Sequence, residues 1–378
     1  MFKYGIENLE ENLAIFKGKR VGLITNPTGI DQNFRSTIDI LFEKVNLVAL
    51  FSPEHGLRGD LQDAIKLGEY HDEKTGLIVH SLYGKHRKPT KEMLEDIDII
   101  CYDIQDVGAR FYTYIYTLAH AMEAAKEHNK KVVVFDRPNP VGNKVEGNIL
   151  DLKFRSFIGY YSIPQRYGLT VGELATLFNE QFEINCDLAV IKMSGYKSDS
   201  IWFDYNLPFV LPSPNLPTAE SVFIYLATCI FEGTNVSEGR GTTKPFSMIG
   251  APWLKTQELI ENLNKHQIPH LKYRSLYFTP IMFKYANELC AGLEFYVTDF
   301  RKFDPVYAGM VILKEIEKLH PEFKYNPPYS PGGNKMIDLN VGDNFISEGL
   351  LSVEQIKAKF AKDQAKFIKI KQRYQIYD

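Results

Sequence analysis

Short apolar runs, each closed by turn residues, set the rhythm of the first half of the chain. They fall at residues 21–25, 47–51, 77–82, 97–102, 131–135 and 188–193. Their length and lack of polar alternation predict strands buried on both faces. Between them lie segments of helical period. Ile38, Leu41 and Phe42 mark one, and Ile115, Leu118, Ala119, Met122 and Ala125 mark another over residues 112–128. A third opens at Thr170, where Glu173 completes a capping box. Strand and helix in strict turn imply an α/β fold built on a doubly wound parallel sheet.

After residue 196 the rhythm breaks, which predicts one domain over residues 1–196 and a smaller α+β domain over 197–378. The second part opens with a proline-dense loop at 211–217 and a helix at 219–231. A glycine-rich polar loop follows at 232–245. Strands are expected at 272–279 and 292–297, and helices at 305–319 and 352–371. The glycine-rich loop is too polar for a core and reads as a functional wall.

Composition narrows the function. At 378 residues with 44% apolar content, the chain can fill two cores. A net charge of −3 argues against a nucleic-acid partner. No apolar run is long enough to span a membrane. The charged start, without an apolar leader, predicts a cytoplasmic protein; a periplasmic or secreted one needs a signal ahead of Met1. Cys101, Cys186, Cys229 and Cys290 sit apart in apolar runs, as buried free thiols do. Neither a G-x-G-x-x-G nor a G-x-x-x-x-G-K loop is present.

In a parallel sheet, ligands gather at the carboxyl ends of the strands. Four such ends carry unusual chemistry: Asn26, then Glu54-His55 with Arg58, then Asp103 and Asp106, then Arg137 and Asn139. Glycosidic cleavage needs a proton donor and a group that stabilises or traps the cationic sugar carbon. Glu54 is the candidate acid, with His55 orienting it and Asp106 as a second catalytic carboxylate; alternatively Glu54 pairs with Arg58. Asp103 and Asp106 bind sugar hydroxyls, hold water, or cap the next helix; no His is spaced to complete a metal set. Arg110 and Arg137 offer bidentate forks to a carboxylate, or serve structural pairs. From the second part, Asn215, Glu232, Asn235, Glu238 and Arg240 are candidate sugar ligands. Tyr83, Tyr112, Tyr160, Tyr161 and Trp253 are candidates for stacking. A non-catalytic sugar-binding protein on the same two-domain scaffold is the competing reading.

Five blocks carry a resemblance. They are Ser-Pro-Glu-His-Gly at 52–56, the run 103–114, Asp-Arg-Pro-Asn-Pro at 136–140, the run 212–217 and the run 232–242. Together they resemble the signature of the NamZ-type exo-β-N-acetylmuramidases, long catalogued as a domain of unknown function. The resemblance implies a Rossmann-like domain, a smaller second domain and an active site in the cleft between them. It implies release of N-acetylmuramic acid from the non-reducing end of peptidoglycan fragments, with Glu54 as general acid and no cofactor. The lactyl carboxylate of that sugar then requires a cation, for which Arg110, Arg137 and Arg240 are the candidates. The 2-acetamido group is a candidate internal nucleophile, steadied by Asp106, Glu232 or Glu238.

Overall fold

A computed structural model describes residues 1–54, 56–57, 69–84 and 86–378. Two of the candidate site residues, His55 and Arg58, lie outside the described residues.

Seven strands form the large sheet: β1 (Arg20–Thr25), β2 (Asn46–Ser52), β3 (Tyr70–His71), β4 (Ile78–Ser81), β5 (Ile99–Asp103), β6 (Lys131–Phe135) and, later in the chain, β9 (Asp187–Ile191). Their order is β3-β4-β2-β1-β5-β6-β9, and every pairing is parallel except that of β3 with β4. The chain winds outward from β1 to β2 and β4, then returns to the other flank of β1 as β5. Register pairs Thr25 with Asp103 and Ile24 with Phe51. The reversal therefore falls beside β1, at the carboxyl ends of β1, β2 and β5.

Neighbouring strand residues enter opposite cores, which explains the unbroken apolar runs. Ile24, Ile100, Tyr102, Val132 and Val134 face one core; Leu23, Ile99, Cys101, Val133 and Phe135 face the other. The first is covered by α2 (Tyr114–Glu127) and α3 (Val171–Gln181), the second by α1 (Thr37–Lys44) and the N-terminal segment. Each fully buried Leu, Ile or Phe is worth about 1.5–3 kcal/mol against exposure. The Thr170–Glu173 capping box forms as expected, and all four cysteines are free and buried.

A two-stranded ribbon, β7 (Glu146–Ile149) with β8 (Pro164–Arg166), escaped the periodicity because its strands are too short to show one. The smaller domain holds an antiparallel sheet in the order β10-β12-β11, made of β10 (Met248–Ala251), β11 (Leu271–Phe278) and β12 (Cys290–Val297). With it go α4 (Ala219–Thr228), α5 (Thr256–His266), α6 (Pro305–Leu319) and α7 (Met336–Val341), while α8 (Val353–Lys371) packs mainly on the ribbon of β7 and β8.

Two helices bind the domains together. In α4, Val222, Phe223 and Leu226 enter the first core of the large sheet while Ile224 enters the core of the smaller domain. In α8, Ile356 and Phe360 enter the core of the smaller domain and Phe367 the first core of the large sheet. Beyond α8 the chain returns to the large sheet. Ile376 N–H donates to Glu173 Oε1 (2.9 Å), and the Tyr377 hydroxyl donates to Asp136 Oδ2 (2.6 Å).

Candidate active site

Strand β2 ends at Ser52, and Pro53 turns the chain so that Glu54 leaves the sheet half-buried. The Thr113 hydroxyl donates to Glu54 Oε2 at 2.9 Å. Tyr114, first residue of α2, donates its hydroxyl to the carbonyls of Pro212 (2.6 Å) and Glu54 (3.4 Å). The end of one strand, the start of one helix and the proline-dense loop are thus tied into one wall.

The opposite wall is the glycine-rich segment after α4. The sequence placed it outside any core, yet Gly233, Thr234, Val236, Ser237 and Glu238 are buried. The reason is a cation that the sequence did not single out. Lys284, in the loop between β11 and β12, donates to the carbonyls of Phe231 (2.7 Å), Glu232 (3.3 Å) and Val236 (3.1 Å) and to Glu238 Oε2 (2.8 Å). The segment folds around this ammonium, which satisfies its carbonyls. Arg240 Nε donates to Glu238 Oε1 at 2.6 Å, its NH1 lies 3.4 Å from Glu232 Oε1, and its guanidinium stacks 4.4 Å from the Phe283 ring centre. Burial pushes Glu238 up, but Lys284 and Arg240 outweigh it and hold the carboxyl below the usual range. Burial wins at Glu232 and raises it, against the pull of Arg240. Its neighbour Cys229 directs the thiol at Glu232 Oε2 (3.6 Å).

Between the walls lies a cleft of about 440 Å³. Of the expected site residues it brings together Glu54, Tyr112, Asn215, Glu232 and Arg240. Among the described residues, Glu54 and Glu232 are its carboxyls and stand on opposite walls. Tyr83, Ser213, Phe246, Phe283 and Tyr329 complete much of the lining. Of the candidate stacking rings, Tyr83 and Tyr112 reach the cleft. Tyr160 packs on His120, Tyr161 on Phe182, and Trp253 on His320.

Of the other expected site residues, those among the described residues that follow are engaged by partners within the scaffold. Asp103 is fully buried and takes Arg137 (NH2 to Oδ2, 2.9 Å) and the Thr37 hydroxyl. Arg137 makes a structural pair, reaching from the end of β6 to Asp103 at the end of the neighbouring β5. Asp136 instead accepts from Thr170, Gly172 and Tyr377. Asp106 accepts from Gly108 N–H (2.7 Å) and the Tyr167 hydroxyl, away from the cleft lining, and burial pushes it up to about 6. The Arg110 guanidinium is buried on the carbonyls of Asn340 (2.6 Å), Asn148 (3.3 Å) and Ile163 (3.5 Å), where burial lowers it to about 10. It is a strut between the domains. Asn26 makes an Asx turn onto Thr28, and Asn139 one onto Val141 N–H. Asn235 is spent on Glu322 O and Lys324 N–H at 2.8 Å each. Thr113 and Lys284 were missed; Thr113 lay inside a recognised block, whereas Lys284 sits in no motif.

The N-terminal model of the family "Exo-beta-N-acetylmuramidase NamZ" matches residues 21–220, and its C-terminal model matches 223–377. The Peptidoglycan beta-N-acetylmuramidase NamZ of Bacillus subtilis is 51% identical over 368 residues, covering 96% of this chain and 87% of that protein. Two DUF1343 family proteins of Bacteroides fragilis, known from crystal structures, share the whole fold. One has a TM-score of 0.90 at 40% identity, the other 0.79 at 31%, each covering 100% of this chain and 99% of theirs. The chain belongs to the exo-β-N-acetylmuramidase NamZ family and is a glycoside hydrolase.

Proposed function

We propose that this protein releases N-acetylmuramic acid from the non-reducing end of peptidoglycan fragments, with Glu54 as the general acid. The observation that carries the reading is the charge of the second wall. Arg240 Nε donates to Glu238 at 2.6 Å and Lys284 meets the other oxygen of Glu238 at 2.8 Å, so this wall carries two cations and presents the Arg240 guanidinium to the cleft. A lactyl carboxylate is the group on this sugar that answers a guanidinium, and Arg240 is the cluster's cation on the cleft lining. Glu54, oriented by Thr113, then protonates the leaving oxygen from the opposite wall.

A second reading exchanges the two carboxyls. Burial favours the protonated form of Glu232, as an acid requires, and Glu54 then acts as base or nucleophile. Leaving-group dependence separates the two. Glu54→Gln abolishes cleavage of a muramyl disaccharide but spares a 2,4-dinitrophenyl muramide, which leaves without protonation. Loss of both substrates in Glu54→Gln, with the sparing seen instead in Glu232→Gln, reverses the assignment. Full activity of Glu54→Gln on the disaccharide refutes any acid role.

A further inference from the structure

A second cavity, of about 570 Å³, opens directly off the cleft and shares Asn215 and Phe283 with it. Thr242, Thr243, Phe278 and Met282 contribute half of the rest, and among the described residues no ionisable side chain lines it. Phe278 packs down onto two glycines: a Cβ on Gly250 or Gly292 would stand 2.6 or 2.7 Å from that ring. The rim of the cavity is the loop between β11 and β12, which displays Ile281 at 72% exposure.

This rim is built rather than left over. Ile281 N–H donates to Gly241 O at 2.9 Å. Gly241 has φ +83°, and a Cβ there would meet Met282 O at 2.5 Å. Phe283 itself holds φ +66°, a conformation costly for an aromatic residue. Lys284 pins the loop to the opposite segment through its four acceptors. The Phe283 ring lines both cavities and carries Arg240 over its face.

We infer that this shelf receives the uncharged sugar on the leaving-group side of the scissile bond, an N-acetylated pyranose without a carboxylate. The inference rests on the muramidase reading above. With the muramyl unit held at Arg240, the remainder of the glycan must leave the cleft through a contiguous opening, and the shelf is one. The Phe278 and Phe283 rings suit the C–H face of a pyranose, while Asn215 and the threonine hydroxyls suit its hydroxyl and acetamido groups. A stem peptide carries carboxylates, and the described residues of this lining offer them no cation.

The test compares kcat/KM for a peptide-free muramyl disaccharide with that for a 4-nitrophenyl muramide. Ile281→Ser/Met282→Ser lowers the disaccharide-to-aryl ratio by about tenfold or more. Thr243→Val, a second variant on another wall, lowers it in the same direction. A ratio unmoved in both variants, whether both substrates slow together or neither does, overturns the inference. So does an effect seen only with peptide-bearing fragments, which assigns the shelf to the peptide. If the unmodified enzyme cleaves neither muramide, the muramidase reading itself fails and the shelf assignment falls with it.

Discussion

Replacing Lys284 by Met tests whether one partly buried ammonium organises the second wall. The substitution keeps most of the aliphatic stem and removes the charge and its hydrogen bonds. It strands three carbonyls and Glu238, whose side chain is 1% exposed. Removing one partner of a buried ion pair costs about 3–5 kcal/mol. Two features pull the value to the low end: Arg240 still neutralises Glu238 at 2.6 Å, and Lys284 is 20% exposed, so water can reach part of the site. The expected loss is about 3 kcal/mol, a large share of the ~5–15 kcal/mol that holds a folded protein together. Urea unfolding at a common m-value measures it. A double-mutant cycle with Glu238→Gln isolates the pair, with an expected coupling of about 1.5 kcal/mol or more. Because Lys284 also holds the Glu232 carbonyl, kcat/KM on the muramyl disaccharide falls by about tenfold or more. A destabilisation under about 0.5 kcal/mol, or a coupling near zero, refutes the claim that the wall is folded around this residue.

Three further outcomes follow from the same geometry. Arg240→Leu lowers kcat/KM for a muramide by about 2–3 kcal/mol while barely changing it for the matching glucosaminide; equal losses on both sugars remove Arg240 from carboxylate recognition. Asp106 is raised in the folded state, so its contribution is present below the unfolded value of about 3.9 and lost as pH climbs through about 6. Asp106→Asn keeps an acceptor for Gly108 and Tyr167, and it gains on the parent by on the order of 2–3 kcal/mol between pH 4 and pH 7; a difference that does not vary with pH contradicts the assignment. Tyr377→Phe leaves the buried Asp136 short of a donor and lowers stability by about 1–3 kcal/mol in urea melts, and an unchanged midpoint shows that the tail merely rests on the sheet.

The large sheet was legible in sequence because its strands are buried on both faces and announce themselves as apolar runs; Lys131–Phe135 coincides with β6 residue for residue. Helix ends with chemical markers were equally plain, as at Thr170. The ribbon of β7 and β8 was not, since strands of four and three residues show no period. The site divided along the same line. Sequence identified which segments meet at the carboxyl edge, but not which polar side chains face solvent and which face each other. Asp103, Arg137 and Arg110 have the composition of ligands and the surroundings of struts. That distinction depends on partners far along the chain, such as Asn340 for Arg110, which no local pattern encodes. Lys284 shows the converse: an ordinary lysine in an ordinary loop, made important by the carbonyls it finds.

The return of the chain onto the large sheet bears on how the protein is made. Asp136 and the Tyr377 hydroxyl that it accepts are 241 positions apart. A ribosome covers that distance in on the order of tens of seconds. During that interval the nascent first domain carries Asp136 without one of its donors and a core still waiting for Phe367. Domains that close on their own can complete before their neighbours are translated; this one reaches its final state only after the smaller domain has been synthesised. The nascent chain therefore has a long interval in which apolar surface from both halves coexists, and in which binding by a chaperone protects more than it delays.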